Sequence, residues 1–411
     1  MTEHLPGHRP ETSPVFCGIV PPHLLEHLVH DADSDVRAAA RRALDLDALH
    51  RQQRALRLPL VPAPAPPATA PHLAPDQPLD QPTDQPTVPA AAPAPTARRT
   101  IHDGHHRQTL PGPVVRTEGS APVADQSVDR AYDGLGDTFA FYLGAYGRRS
   151  VDGRGLPLDA TVHYGVRYDN AFWNGRQMVF GDGDGVIFND FTVAVDVIGH
   201  ELTHGVTQFT ANLDYQGQSG ALNESVSDVF GSLVKQYALG QTAEAADWLI
   251  GAGLLAPGIH GVALRSLKAP GTAYADPRLG TDPQPATMAG YVHGSSDNGG
   301  VHLNSGIPNH AFYLAATALG GHAWERAGQI WYDVLTGGQI PSAATFAVFA
   351  AATADAARAR YGSGPELDAV LAAWTAVGVP IAAPVGAPAG AGVGAAAGAA
   401  VADEGAGRGE N

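Results

Sequence analysis

The chain has 411 residues, of which 44% are hydrophobic, and it carries a formal net charge of −16 at pH 7 with a pI near 5.5. That length leaves room for two or three domains with cores of their own. The acidic balance argues against a nucleic-acid partner, and the one extended apolar run, 380–401, is too rich in Ala and Gly to hold in a bilayer. We expect a soluble acidic protein without a membrane span.

The first hundred residues divide into two segments. Residues 1–58 contain the stretch from Phe16 to Leu28 and a predicted helix from Ser34 to Leu58, which begins among acidic residues. Residues 59–97 are dominated by Pro, Ala and Asp-Gln-Pro repeats, a composition that cannot bury a core. We predict an N-terminal module that an extended linker joins to the rest of the chain.

Two features bear on the compartment. Cys17 is the only cysteine, which excludes an intramolecular disulfide and leaves open whether the protein meets an oxidising environment. Residues 1–13 lack the apolar stretch of a secretory signal. We expect cytoplasmic synthesis, followed either by secretion along a non-classical route or by action in the cytoplasm.

A metal-binding pattern, HELTH, occupies residues 200–204. Residues four apart share one face of a helix, so His200 and His204 can bind one zinc ion while Glu201 reaches a water molecule on it. The pattern lies within the stretch 191–209, whose apolar residues recur at helical spacing. The sequence therefore predicts a helix that supports metal-assisted hydrolysis.

A catalytic zinc ion takes a third protein ligand. In the HExxHxxGxxH pattern this ligand is another His, but Thr207 and Thr210 occupy the two diagnostic positions here. The alternative is a Glu on a second helix, and Glu224, twenty positions after His204, fits that spacing. Asp228 lies one helical turn beyond Glu224, where it can accept the Nδ1 proton of a ligating His.

With these motifs the sequence resembles the thermolysin family of zinc endopeptidases over about residues 100–380. The other matching motifs, in chain order, are Asn170-Ala-Phe-Trp-Asn-Gly175, Gly181-Asp-Gly-Asp-Gly185, Tyr215, Gly220-Ala-Leu-Asn-Glu224, Leu264-Arg265-Ser266 and Asp297-Asn-Gly-Gly-Val-His302. The resemblance implies one catalytic zinc ion per chain, bound by His200, His204 and Glu224, with Glu201 as the general base.

The resemblance also implies roles for residues outside the metal site. His302, in a Gly-rich loop and held by Asp297, and Tyr215 match the groups that donate hydrogen bonds to the oxyanion of the tetrahedral intermediate. Asn170 and the carbonyl of Ala171 match the edge strand that binds the substrate main chain.

Substrate preference follows from the same resemblance. Arg265 matches the residue that grips a substrate carbonyl. The S1′ pocket, which receives the side chain after the scissile bond, matches four apolar residues: Phe188, Val197, Ile250 and Leu264. Cleavage on the amino side of bulky hydrophobic residues is implied, with a graded preference, because one methylene group in such a pocket is worth about 1 to 3 kcal/mol.

The calcium sites depart from the family pattern. Carboxylates line the double calcium site of thermolysin itself, and the matching positions here are Asp196, Asp247, Lys235, Leu249 and Ala252. Two carboxylates cannot satisfy two dications that each take six or more oxygen ligands, so we predict that the double site is absent while calcium can still bind elsewhere. Lys235 either places its ammonium group where a calcium ion would lie or is a solvated surface residue.

The N-terminal segment, with its Pro-Pro-His-Leu-Leu element, is similar to the propeptides of the protealysin-like branch of the family. Residues 1–58 would then hold the cleft shut until the linker, residues 59–97, is cut. The alternative is a partner-binding module that stays attached. Cys17 is either a thiolate that occupies the zinc site or a small buried hydrophobic residue.

We therefore predict an α+β, thermolysin-like catalytic unit of two lobes with the zinc site in the cleft. A β-rich N-terminal lobe would span residues 98–214 and a mainly helical lobe residues 215–380, with helices at 304–319, 322–335, 343–361 and 366–377. Residues 381–411 would form a disordered Ala/Gly tail.

The predicted function is that of a monomeric zinc endopeptidase, made as a proenzyme, that cleaves proteins or peptides. A related aminopeptidase is the alternative enzyme, but its Gly-x-Met-x-Asn motif is absent from the sequence. An inactive scaffold protein is the other alternative. Such a protein should have lost at least one catalytic or zinc-binding residue, and none is lost here.

Overall fold

The computed structural model describes residues 17–55 and 95–381, and for Cys17 and residues 50–55 it describes the backbone alone. The predicted end of the N-terminal helix at Leu58, most of the linker and nearly all of the Ala/Gly tail therefore lie outside the described residues. So does the Cys17 side chain, and its two interpretations stay hypotheses.

One mixed sheet dominates the N-terminal part of the catalytic unit. Its strands are β1 (Cys17–Gly18), β2 (Arg99–Asp103), β3 (Val114–Thr117), β4 (Leu158–Val162), β5 (Ala171–Trp173) and β6 (Met178–Phe180). The strand order is β1-β5-β6-β4-β2-β3, in which β6, β4 and β2 run parallel and the other neighbours are antiparallel.

Among the strands of residues 98–214, β5 is an edge strand, as predicted for residues 170–172, but this edge is covered. β1, from the N-terminal module, pairs with β5 on the side away from β6. An open strand edge presents unpaired N–H and C=O groups, and the main chain of β1 takes them up. β5 is thus an inner strand of the described sheet.

Three long helices carry most of the remaining core of this region: α3 (Gln126–Tyr146), α4 (Val195–Gln208) and α5 (Gly217–Leu239). The helix predicted from Phe191 begins instead as a short 3-10 turn at Phe191–Val193, because the Asp190 side chain accepts the Thr192 N–H. The α-helix that carries the HELTH pattern then starts at Val195.

Helices α4 and α5 pack closely because glycines face their contact. A Cβ atom at Gly231 of α5 would lie 2.4 Å from the Asp196 carbonyl oxygen of α4. A Cβ atom at Gly199 would lie 3.0 Å from the Val234 side chain. Side chains at these two positions would force the helices apart and separate the residues that α4 and α5 bring together.

The C-terminal part is mainly helical. Its helices are α6 (Asp297–Asn304), α7 (Gly306–Leu319), α8 (Ala327–Thr336), α9 (Phe346–Tyr361) and α10 (Pro365–Ala376). Two small strand pairs precede them, β7 (Leu249–Ile250) with β8 (Arg265–Ser266) and β9 (Ala275–Asp276) with β10 (Gly280–Thr281).

The helices predicted for this part occur with shifted starts. α8 begins at Ala327 instead of residue 322, and α9 at Phe346 instead of residue 343, where the Thr345 side chain caps it. His302, predicted in a Gly-rich loop, lies in α6 just beyond a kink at residues 298–300, which have positive φ angles. Among the described helices, none is both long and apolar enough to cross a membrane.

The N-terminal module contributes β1 and two helices, α1 (Pro22–Leu28) and α2 (Ser34–Ala55). Several of its apolar side chains, including Leu24, Leu25 and Leu28, are fully buried. Two ion pairs join it to the catalytic unit: Arg278 Nε lies 2.6 Å from Asp31 Oδ2, and Arg167 Nη1 lies 2.9 Å from Asp35 Oδ2. The module is therefore packed on the catalytic unit.

A histidine between two carboxylates links three segments of the N-terminal lobe. His163 Nδ1 lies 2.8 Å from Asp182 Oδ1 and His163 Nε2 lies 2.8 Å from Asp125 Oδ2. Asp125 also caps α3 by accepting the Ser127 N–H. The hydrogen bond that His163 donates to Asp182, reinforced by the one to Asp125, raises the pKa of His163 to about 9 against the opposing effect of partial burial.

We expect His163→Gln to lower the thermal unfolding midpoint by about 1 to 3 °C at pH 7. The folded-state pKa lies above the ordinary value, so the imidazolium stabilises the fold fully below pH 6.5 and loses this contribution as pH rises through about 9. The difference from wild type, followed by calorimetry, should shrink above pH 9. His105→Gln, at an exposed histidine with one carboxylate partner, is the control. A pH-independent difference would contradict this account.

Candidate active site

Two histidines of α4 point their Nε2 atoms at the same place. His200 Nδ1 lies 2.8 Å from Asp228 Oδ1, and His204 Nδ1 lies 2.8 Å from Asn223 Oδ1. Because each acceptor takes a proton from Nδ1, both rings are held with Nε2 unprotonated. The two Nε2 atoms are 3.0 Å apart and fully buried.

Two facing lone pairs cannot bond to each other, and a cation bound between them would relieve this contact. Glu224 completes the set: its Oε2 lies 3.6 Å from His200 Nε2 and its Oε1 lies 3.4 Å from His204 Nε2. Ligands about 2.0 to 2.2 Å from a tetrahedral zinc ion lie about 3.3 to 3.6 Å from one another. Among the described residues, this trio is the one group of at least three His, Cys, Asp or Glu side chains with metal-binding spacing.

The pKa shifts of His204 and Glu224 also favour binding of a metal cation. Burial lowers the pKa of His204 to about 3, which keeps the ring neutral as a metal ligand must be. Burial would raise the pKa of Glu224, but its electrostatic interactions with neighbouring groups, of which His302 is the largest, outweigh it and the net shift is downward. The site thus offers two imidazoles and one carboxylate.

Glu201 lies beside this group. Its Oε2 accepts the Trp173 N–H of β5 at 3.0 Å, while its Oε1 is buried without a hydrogen-bond partner among the described residues. Burial, with the Glu224 charge added, raises the pKa of Glu201 well above its usual range. A cation bound by the trio counters both effects and favours the carboxylate.

Asp228 joins the metal site to Arg265. Besides His200, it accepts Arg265 Nη2 at 2.8 Å on Oδ1 and Arg265 Nε at 2.9 Å on Oδ2. Asn309 Nδ2 donates to Oδ2 at 2.8 Å. Burial alone would raise the pKa of Asp228, but Arg265 and His200 lower it to about 2, so the carboxylate is ionised.

Two further groups reach the same centre. Tyr215 Oη donates a short hydrogen bond to Glu224 Oε1 and lies 3.3 Å from His302 Nε2. His302 Nδ1 lies 2.6 Å from Asp297 Oδ1. Burial lowers the pKa of His302, but the charges of Asp297 and Glu224 outweigh it, so the net shift is upward and favours the imidazolium.

The residues predicted to bind substrate surround the N-terminal segment. Asn170 Oδ1 accepts the Val20 N–H at 2.9 Å, and the Ala171 carbonyl accepts the Ile19 N–H at 3.0 Å. Arg265 Nη1 donates to the Ile19 carbonyl at 2.9 Å. The four apolar residues assigned to the S1′ pocket are all buried: Phe188, Val197, Ile250 and Leu264.

Lys235 lies among the groups that match the calcium site. Its Nζ lies 2.7 Å from Asp196 Oδ2, 2.9 Å from Asp247 Oδ1 and 2.9 Å from the Leu249 carbonyl oxygen. Burial lowers the pKa of Lys235, but the Asp196 charge outweighs it and the net shift is upward. The ammonium group is therefore charged, and its side chain is buried instead of solvated.

Sequence reasoning gave no role to three residues that contact the site. Asn223 and Ser227 both approach His204 Nδ1, and the main-chain N–H of Trp173 holds Glu201. Asn223 could have been predicted to contact the site, because it is next to Glu224 on the face of α5 toward α4. No sequence pattern marks a main-chain donor such as that of Trp173.

We expect Asp228→Asn to weaken zinc binding by about 10- to 100-fold, because the amide keeps an acceptor oxygen but loses the negative charge that orients His200 and pairs with Arg265. Competition with a chelator of known affinity measures the change. Asp333→Asn is the matched control, since Asp333 makes the same two-bond contact with Arg360 on the surface. Equal zinc affinity in the Asp228 variant and wild type would contradict the assignment.

Comparisons with known proteins agree with this geometry. Residues 98–208 match the catalytic domain of thermolysin metallopeptidases, and residues 211–379 match their α-helical domain. The chain is 51% identical over 366 residues to an extracellular metalloprotease of Pectobacterium carotovorum subsp. carotovorum, covering 89% of this chain and 97% of that protein. It is 42% identical over 289 residues to a thermolysin of a Bacillus species, covering 68% of this chain and half of that protein.

A solved structure gives the same result. The precursor of protealysin, a metalloproteinase from Serratia proteamaculans, superposes with a TM-score of 0.76 at 49% identity, covering 88% of this chain and 99% of that one. The predicted two-lobe α+β fold is confirmed. With both family domains matched in order and the His-His-Glu group in place, the chain belongs to the thermolysin family of metallopeptidases.

Proposed function

We propose that this protein is a zinc-dependent endopeptidase that cleaves proteins or peptides on the amino side of bulky hydrophobic residues. The observation that carries the proposal is the pair of buried Nε2 atoms, 3.0 Å apart, with Glu224 beside them. His200, His204 and Glu224 would hold the ion. When bound, zinc would act as a Lewis acid at the scissile carbonyl and make water acidic enough to ionise near neutral pH.

The chain's own residues then move the protons. Glu201 takes a proton from the attacking water through Oε1 and delivers it to the nitrogen of the leaving amine. His302, held protonated by Asp297, donates a hydrogen bond to the oxyanion. Tyr215, which bonds to Glu224 in the present structure, donates the second once its hydroxyl turns toward the substrate.

Substrate binding uses the groups that surround the N-terminal segment. Asn170 and the Ala171 carbonyl bond to the substrate main chain, and Arg265 grips the carbonyl of the residue after the scissile bond. The apolar side chains of Phe188, Val197, Ile250 and Leu264 form the S1′ pocket. The ion pair between Arg265 and Asp228 supports the role proposed for Arg265, because it fixes the guanidinium group.

We propose that residues 1–58 are a propeptide and residues 59–97 a tether whose cutting releases it. The contacts of Ile19 and Val20 support this proposal, because they use groups that the substrate would need. The catalytic lobes would span residues 98–214 and 215–380. The matched family segments, which meet between residues 208 and 211, support this division.

The remaining parts of the proposal concern calcium, assembly and compartment. The Lys235 ammonium group takes the place of a cation, so the double calcium site is absent. The enzyme acts as a monomer. Two relatives are named as extracellular proteases, which supports action outside the producing cell.

We expect Glu201→Gln to keep one zinc ion per chain and to lose about 10²- to 10⁴-fold in turnover, because the change removes the general base but no ligand. Elemental analysis and casein hydrolysis by the processed enzyme measure the two effects. Undiminished turnover in this variant, or a wild type without zinc, would refute the mechanism.

We expect millimolar calcium to leave the thermal unfolding midpoint nearly unchanged. A stabilising ligand at about a hundred times its dissociation constant adds about 2.7 kcal/mol, so real binding would be visible in a melting curve. Lys235→Gln should destabilise the protein by about 3 kcal/mol, because it leaves the buried Asp196 unpaired. Lys268→Gln, at an exposed lysine, is the control. A midpoint that rises by many degrees with calcium would show that a calcium site exists.

A further inference from the structure

The N-terminal segment lies along β5 as a substrate would. β1 runs antiparallel to β5, with Cys17 opposite Trp173 and Gly18 opposite Phe172. The main chain of Ile19 is then bonded on both sides, its N–H to the Ala171 carbonyl and its C=O to Arg265. These are the groups that the proposed function assigns to the residue after a scissile bond.

The register identifies a single bond. The carbonyl of Ile19 is engaged by Arg265, so the bond between Ile19 and Val20 is not the reacting one. The bond between Cys17 and Gly18 would leave no side chain for the S1′ pocket. The bond between Gly18 and Ile19 remains, and it places a fully buried, bulky apolar residue after the reacting carbonyl.

Glu201, the proposed general base, is held beside the Gly18–Ile19 bond by its contact with β5. Glu201 Oε2 accepts the N–H of Trp173, and Trp173 is the residue that pairs with Cys17. Glu201 is therefore anchored to the strand position opposite the residue before Gly18. A general base needs to stand within hydrogen-bond reach of the attacking water, and this anchor brings it to that side of the segment.

Gly18 permits the close approach. A Cβ atom at this position would lie 2.4 Å from Asn170 Nδ2 and 2.7 Å from Asn170 Cγ. A larger residue would displace either the segment or the Asn170 amide, which also binds the Val20 N–H. Either shift would disturb the hydrogen bonds that hold the segment on β5.

We propose that the enzyme cuts its own chain between Gly18 and Ile19 within a single molecule. The inference rests on the proposed peptidase function. The bond between the Gly18 carbonyl carbon and the Ile19 nitrogen breaks, and the oxygen of a water molecule bonds to that carbon. One water proton passes to the Ile19 nitrogen through Glu201, the second follows as the new carboxyl group ionises, and the products are a Gly18 carboxylate and an Ile19 ammonium group.

This cut does not by itself open the site. Residues after Ile19 stay fastened to the catalytic unit through the Asp31–Arg278 and Asp35–Arg167 pairs and through buried leucines of α1. The new N-terminus at Ile19 remains in the S1′ position, as a retained product. Release of the segment still requires the cut in the tether.

The test follows the full-length, zinc-loaded chain by intact mass and N-terminal analysis. We expect a species that begins at Ile19, at a rate independent of protein concentration over a tenfold range, and none in Glu201→Gln. Gly18→Ala should slow this cut by about tenfold or more, because the misplaced segment no longer presents the bond to the base. Gly294→Ala, at an exposed glycine with open space around it, is the matched control.

Hydrogen exchange gives a readout that does not depend on turnover. In full-length Glu201→Gln, the Ile19 and Val20 amides should be protected, and Gly18→Ala should lose that protection. Unprotected amides would overturn the inference, as would a rate that rises with concentration. If the processed wild type hydrolyses casein while the Gly18–Ile19 bond stays intact, the inference fails and the peptidase function stands. If neither casein nor this bond is cut, the proposed function itself fails.

Discussion

The Nε2 atoms of His200 and His204 lie 3.0 Å apart in a fully buried site, and a bound cation is the natural way to relieve that contact. Much of the surrounding structure serves to maintain it. Each ring needs an acceptor for its Nδ1 proton, and both acceptors, Asp228 and Asn223, lie on α5. Helices α4 and α5 must therefore pack closely, which Gly231 permits.

The same constraint extends outward from the metal site. Asp228 holds His200 with one oxygen and shares both oxygens with Arg265, so the residue proposed to grip the substrate is positioned by the group that orients a metal ligand. A buried carboxylate with this many charge-assisted donors is rigid. The metal-ligand candidate His200 and the proposed substrate-binding residue Arg265 therefore share one carboxylate.

The N-terminal module contacts Arg265 and the other groups that we propose for substrate binding. Its inhibitory strength would come from two sources that differ in physical kind. Main-chain hydrogen bonds at Ile19 and Val20 are buried, whereas the Asp35–Arg167 pair lies at the surface and the Asp31–Arg278 pair, in which the Asp31 side chain is 4% exposed, is intermediate. Exposed ion pairs are weakened by salt, whereas buried hydrogen bonds are not. His23, whose pKa burial lowers to about 4, adds a buried imidazole near Asp297 and His302.

Sequence reasoning reached the parts of the site that depend on local spacing. The four-residue step from His200 to His204 and the turn from Glu224 to Asp228 follow from helical geometry, and the family motifs supplied the rest of the predicted residues. It could not reach contacts between distant segments. The pairing of β1 with β5 joins residues about 150 positions apart, and only the folded chain reveals that the predicted edge is covered. The Asp190 cap, which precedes the start of α4 at Val195, is a local feature. The spacing of apolar residues nevertheless does not predict it, because the cap depends on a side-chain hydrogen bond.

X-ray absorption at the zinc edge on the purified full-length chain tests the central claim most directly. The account predicts one zinc ion per chain with two imidazole nitrogens at about 2.0 to 2.1 Å and carboxylate or water oxygen at about 2.0 to 2.2 Å. A sulfur atom at about 2.3 Å would add the Cys17 thiolate to this set. A chain that binds no zinc, or a zinc ion without imidazole ligands, would contradict the account.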